Sequence, residues 1–174
     1  MPDDAFERNW AHFTLDGSPF RARYFVFGDV NKPVLVMTHG YATKSLSHFM
    51  LFKPLSTHFR IIFFDNCSWG GNTRLSSSSG LASPKHAREM MLSWIEAFFI
   101  AIDHLIPQKV LLYGASNGAY QLSLYASKYP ERVAKLFLCS PVGFDGIQPT
   151  ESYDIYAIRN QDKRPGPPSR AKVD

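Results

Sequence analysis

Four short apolar runs constrain the fold more than any other feature of the chain. They are Val34-Leu35-Val36-Met37, Ile61-Ile62-Phe63-Phe64, Val110-Leu111-Leu112-Tyr113 and Leu136-Phe137-Leu138-Cys139. A strand with one solvated face alternates apolar and polar residues. An uninterrupted run of this length marks a strand buried on both faces of a parallel sheet. Each run ends on small or polar residues: Thr38-His39-Gly40, Asp65, Gly114 and Ser140-Pro141.

Helical patterns lie between the runs. Ser45 to Phe59 is a weak one with Pro54 inside it. Pro84 to Leu105 is strong, because Met91, Trp94, Ile95, Phe98, Phe99, Ile102 and Leu105 recur at three- and four-residue steps and share one face. Ser83 is placed to cap that helix, and Pro84 suits its first turn. Asn117 to Tyr129 is the third, stopped by Pro130. Strands alternating with helices build βαβ units and a parallel sheet. Trp10–Leu15 and Phe20–Phe27 read as two leading strands around an Asp16-Gly17-Ser18-Pro19 turn, and fit an antiparallel edge. The fold class is therefore α/β, a mostly parallel sheet flanked by helices. Ser76-Ser77-Ser78-Ser79-Gly80 reads as a flexible loop. Residues 159–174, with Pro165-Gly166-Pro167-Pro168, read as a tail too polar to order itself.

Charge narrows the function classes. The chain of 174 residues carries a net +4. Arg159, Lys163, Arg164, Arg170 and Lys172 against Asp162 and Asp174 place +3 of that in the last sixteen residues. The body, residues 1–158, is nearly neutral, which argues against a nucleic-acid partner. Cys67 and Cys139 have no metal-ligand neighbour at CxxC spacing and read as reduced thiols, so neither a metal nor a cofactor is expected. The polar, acidic start Met1-Pro2-Asp3-Asp4 does not resemble a secretory signal, and no stretch reaches the roughly 20 apolar residues of a membrane span. These features predict a cytoplasmic chain without a transmembrane segment.

Gly114-Ala115-Ser116-Asn117-Gly118 matches GxSxG between a buried strand and an amphipathic helix, the setting of a nucleophile elbow. The turn forces the serine into a strained backbone, and side chains at 114 and 118 would collide with the neighbouring helix and strand. Ser116 is the candidate nucleophile, held at the positive end of the helix. The loop after the first buried strand, His39-Gly40-Tyr41, and the residue after the serine supply the two oxyanion-hole amides in such a fold. These would be Tyr41 (or Ala42) and Asn117. His39 itself reads as a residue that shapes this loop. Asp65 reads as the anchor of an Asx-type turn.

The triad order of this architecture is Ser, then Asp or Glu, then His. The last histidine of the chain is His104, before Ser116. His12, His48, His58, His86 and His104 therefore read as surface or packing residues. Without a base, a serine hydroxyl is a poor nucleophile at neutral pH.

The residues together resemble the α/β-hydrolases of the AB hydrolase-1 type, near the N-acyl-phospholipid lysolipases and the lipid-droplet co-lipase activators. The resemblance runs from about Pro33 to Tyr156. It rests on His39-Gly40-Tyr41, on Asp65 with Trp69-Gly70, on the 114–118 elbow, and on Lys128-Tyr129-Pro130-Glu131-Arg132-Val133 leading to Ser140-Pro141-Val142-Gly143-Phe144. The group usually has glycine in place of Ser68, often aspartate in place of Ser140, and histidine followed by serine or asparagine where Ala115-Ser116 stands. Some members lack the serine and act as non-catalytic activators. The resemblance implies the N-terminal half of an α/β-hydrolase domain at 1–158, with the C-terminal half missing. Residues 159–174 would be a disordered tail or the start of a truncated cap, which in the group begins near Ser152. It also implies a serine hydrolase for carboxylic-ester or lipid acyl substrates, inactive as it stands. The alternative is a non-catalytic lipid-associated module. Association with the surface of membranes or lipid droplets is the further expectation, as is an exposed sheet edge at Leu136–Cys139.

Overall fold

The computed structural model describes residues 7–75 and 83–143. The expected 76–80 loop, the expected 159–174 tail and the cap expected from Ser152 lie outside them. The chain opens with a hairpin of β1 (Glu7–Leu15) and β2 (Ser18–Phe27). Its turn is tighter than expected. Leu15 pairs with Ser18, so only Asp16 and Gly17 form the loop, at φ 48° and 73°. Two successive positive φ values match the right-handed twist of the strands, which is why Asp-Gly serves here. Ser18 and Pro19 are already strand. Pro19 is tolerated because β2 pairs with its second neighbour only from Tyr24 onward.

The four apolar runs become β3 (Val34–Thr38), β4 (Arg60–Phe64), β5 (Val110–Ala115) and β6 (Val133–Cys139). The sheet order is β1-β2-β4-β3-β5-β6. β4, β3, β5 and β6 run parallel, while β1 and β2 form the antiparallel edge. Alternate residues of the central strands enter two cores. Val36, Ile62, Phe64 and Leu112 face helices α2 (Pro84–Ala101) and α3 (Asn117–Lys128). Leu35, Met37, Ile61 and Phe63 face helix α1 (Phe49–Ser56) through Phe52. Burial on both faces is what the unbroken runs require.

The helices follow the sequence with local revisions. The Ser83 side chain caps α2 by accepting the His86 N–H at 3.2 Å. Trp94, Ile95, Phe98, Phe99 and Ile102 form its buried stripe, while Met91 and Leu105 are only partly covered. The α-helix ends at Ala101 and a 3₁₀ turn, Asp103–Leu105, completes the expected span. The weak pattern at 45–59 divides into a 3₁₀ turn, Ser45–His48, and the short α1. Pro54 lacks the N–H an interior helical residue would donate, and α1 stops two residues later.

β6 is the outermost described strand. Phe137 and Leu138 are 46% and 39% exposed, so among the described residues this run is an edge rather than a strand covered on both faces.

Candidate active site

β3, β4 and β5 are adjacent and parallel, so their carboxyl ends deliver Thr38-His39-Gly40, Asp65-Asn66 and Gly114-Ala115-Ser116 to one edge of the sheet. Ser116 sits at φ 52°, ψ −116°, a strained conformation for a residue with a side chain. Two hydrogen bonds hold it there. Its N–H donates to the Cys139 carbonyl at 2.8 Å, and its carbonyl accepts from the Tyr120 N–H at 3.2 Å.

Missing side chains make the elbow fit. A Cβ on Gly114 would stand 2.5 Å from Ala119 Cα, inside the backbone of α3. A Cβ on Gly118 would strike the His39 carbonyl oxygen and lie 2.7 Å from Thr38 Cγ2. A Cβ on Gly40 would lie 3.1 Å from Ser116 Cβ and 3.7 Å from its Oγ. The loop after β3 therefore passes directly over the serine. Ala42, at φ 58°, turns that loop, and the Tyr41 ring meets Trp69 edge-on at 4.9 Å. Asn117 opens α3, where the helix leaves its first amides without internal partners.

A second construction stands at the end of β4. Asp65 is fully buried. Oδ1 accepts from the Ser45 N–H and Oγ–H, each at 2.7 Å. Oδ2 accepts from Arg23 Nε at 2.7 Å and Nη2 at 2.6 Å, and from the Gly71 N–H at 2.9 Å. Burial alone would raise the carboxyl pKa. The bonds from Ser45 and Gly71, with the Arg23 charge, outweigh it and hold the group below its ordinary range. This corrects the expected Asx-type turn: the carboxylate ties β2, the Ser45 turn and the loop after β4 together. Asn72 reinforces it by donating to the Asp65 and Asn66 carbonyls at 2.8 Å and accepting the Arg23 N–H at 2.7 Å.

His39 links the two constructions. The Nδ1–H donates to the Gly40 carbonyl at 2.6 Å, and Nε2 accepts the Asn66 N–H at 3.0 Å. Asn66 also donates its side-chain amide to the His39 carbonyl. Burial lowers the His39 pKa, favouring the neutral ring that these bonds require. With both nitrogens occupied, His39 has no lone pair to accept a proton from Ser116. It braces the loop over the serine.

His12, His58, His86 and His104 are exposed, and His48 packs on Phe63 at 5.4 Å. A surface groove of about 420 Å³ between α2 and α3, lined by Phe99, Ile100, Tyr125 and Tyr129, shares no residue with the elbow. Burial pushes the Cys67 thiol up to about 12, away from the thiolate form. Among the described residues no group of His, Cys, Asp or Glu is arranged to hold a metal ion. Sequence reasoning missed Gly40, Arg23, Ser45, Asn66 and Asn72. Gly40 lay within a noted motif. Asn66 and Asn72 lie in the loop that Asp65 opens, but Arg23 and Ser45 reach it only through strand order, which no local pattern announces.

A family model described as the alpha/beta hydrolase fold matches residues 33–160. The chain belongs to the α/β-hydrolase fold family. Among curated relatives, a probable 1-acylglycerol-3-phosphate O-acyltransferase of Oryza sativa subsp. japonica is 33% identical over 78% of this chain and 31% of its own length. A (lyso)-N-acylphosphatidylethanolamine lipase of Mus musculus is 31% identical over 71% of this chain and 34% of its own. The chain thus lies near the lysolipase and activator group, and spans about a third of the curated relatives it matches. Among solved structures, a probable hydrolytic enzyme of Pseudomonas aeruginosa PAO1 superposes with TM-score 0.64 at 18% identity, covering 80% of this chain and 43% of that one. The 2-hydroxy-6-oxo-6-phenylhexa-2,4-dienoate hydrolase of Rhodococcus sp. strain RHA1 gives 0.62 at 21% identity, covering 80% and 48%. These two show the shared hydrolase fold. No described helix is long and apolar enough to cross a membrane.

Proposed function

We propose that this chain supplies the nucleophile half of a serine hydrolase acting on carboxylic esters of lipid acyl groups. The strained Ser116 beneath Gly40 is the observation that carries this reading. In the proposed reaction Ser116 Oγ attacks the ester carbonyl. The amides of Tyr41 and Asn117 stabilise the oxyanion, and the alcohol departs with the serine's proton. Water then releases the fatty acid from the acyl-serine. The lipid class follows from relatives whose names specify acylglycerol-phosphate and acylated phosphatidylethanolamine. Location in the cytoplasm, at the surface of membranes or lipid droplets, belongs to the same reading.

The proton needs an acceptor, and no histidine follows Ser116 in this chain. The base and its acid would come from the portion of a longer protein that the relatives possess. A longer protein containing this segment and a later histidine should hydrolyse lysophospholipid, and Ser116→Ala should reduce the rate about 10⁴-fold or more. The 174-residue chain alone should show little or no turnover of an activated aryl ester. Ser116-dependent turnover of ordinary enzymatic size in that short chain would contradict the assignment of the base. A second reading, a non-catalytic lipid-binding module, is favoured by the full commitment of His39 to its loop. It would be supported by lipid binding, without hydrolysis, in the longer protein.

A further inference from the structure

Near the carboxyl edge of the sheet stand exposed apolar side chains that the proposed chemistry does not use. Four of the large exposed hydrophobic side chains among the described residues lie within eleven positions of one another: Tyr41, Phe49, Met50 and Leu51, at 38%, 61%, 71% and 37% exposure. The last three open α1. Phe52, the next residue, is buried against Phe27 and Phe63 and fixes the helix to the sheet. The preceding turn is tied to the carboxyl end of β4 through Ser45 and Asp65. The first turn of α1 is thereby held on the edge that carries Ser116.

Charge distinguishes this group from an ordinary buried interface. Between Val30 and Phe64 the chain has Lys32, Lys44, Lys53 and Arg60 and no carboxylate. The rest of residues 1–158 is net −3. Lys44 and Lys53 bracket the apolar triplet, and both are exposed. Large apolar side chains flanked by exposed lysines, with the one carboxylate bound to the preceding turn, Asp65, already neutralised by Arg23, are the composition of an interfacial anchor: the apolar groups enter the acyl boundary and the cations meet anionic headgroups.

We propose that the first turn of α1, Phe49-Met50-Leu51 flanked by Lys44 and Lys53, docks on an anionic phospholipid surface and brings the Ser116 edge down onto it. The proposal rests on the reading of the substrate as a lipid ester. Its test is separate from catalysis, because docking does not need Ser116.

The test is co-sedimentation of the 174-residue chain with vesicles of phosphatidylcholine containing about one-third phosphatidylserine, and with phosphatidylcholine alone. Circular dichroism checks that every variant is folded. The unaltered chain should pellet with the anionic vesicles, less with the neutral ones, and less at high salt. F49S/M50S should weaken partitioning by about tenfold or more. K44E/K53E should weaken it by roughly tenfold on anionic vesicles and hardly at all on neutral ones. I100S removes an equally exposed apolar residue from α2 and should change nothing. A folded chain that ignores anionic vesicles, as it would if another protein surface covered these side chains, overturns the proposal. So does F49S/M50S binding like the unaltered chain, or I100S losing as much. Absence of Ser116-dependent hydrolysis in the longer protein would remove the enzymatic reading and leave these binding results standing.

Discussion

The ends of β5 and β4 are neighbours on one edge of the sheet and are built by opposite means. At β5 the structure depends on side chains that are missing. Gly114 and Gly118 let α3 and β3 close around Ser116, and Gly40 lets a loop cross it. At β4 it depends on side chains that are present. Arg23 and Ser45 reach the Asp65 carboxylate from distant parts of the chain, and Asn72 ties the Asp65 and Asn66 carbonyls to the Arg23 amide. One end is a steric device and the other an electrostatic one, and His39 hydrogen-bonds between them. A residue held in a strained backbone conformation, as Ser116 is, needs surroundings that over-determine it. The pairing shows how this fold provides them, with tight backbone contact on one side and a satisfied buried charge on the other.

Removing the charge tests the contrast most severely. Asp65→Ala strips Arg23, Ser45 and Gly71 of their acceptor at once, and breaking a buried pair this way costs about 3–5 kcal/mol. Chemical denaturation should register a loss of that size. A loss below about 1 kcal/mol would mean that the network is redundant. Gly118→Ala should cost less, about 1–3 kcal/mol, as the new methyl drives α3 away from the His39 carbonyl. An unchanged midpoint would show that the glycine is dispensable to the elbow.

A gentler test uses pH. The folded pKa of His39 is lowered, chiefly by burial, so the folded state prefers the neutral ring. The unfolded chain takes up a proton near the ordinary value of 6.5. Stability present above that value is therefore lost as pH falls below it toward the folded value. His48, also lowered by burial, contributes with the same sign, and Asp65 follows below its ordinary 3.8. Thermal midpoints should decline between about pH 7 and pH 5, and His39→Gln should flatten that decline. An identical slope in the variant would detach His39 from it. The smallest effect should be a gain. Ser116→Gly relieves the positive φ and should stabilise the fold by about 1 kcal/mol, while Ser116→Ala keeps the strain. Equal stability of the two variants would mean that the backbone at 116 stores nothing.

The same contrast explains what was legible in the sequence. The β5 elbow could be read because its parts are consecutive: a buried strand, glycines at 114 and 118, a serine between them, and a helix. The parallel core could be read from its four runs. The β4 end could not, because Asp65 meets Arg23 across 42 positions and Ser45 across 20, through a strand order no local pattern encodes. Reading Asp65 as a local turn followed from seeing only its immediate neighbours. The break of 45–59 into a 3₁₀ turn and a short helix has the same origin, since Ser45 is positioned by Asp65 rather than by its own segment.

Fluorophosphonate labelling tests the central claim most directly, because the probe reacts only with a serine that its site has activated. In a longer protein that contains this segment and a later histidine, peptide mapping should find the adduct on Ser116, and Ser116→Ala should abolish it. Labelling at another serine, or none in a preparation that hydrolyses esters, would contradict the assignment of Ser116 as the nucleophile.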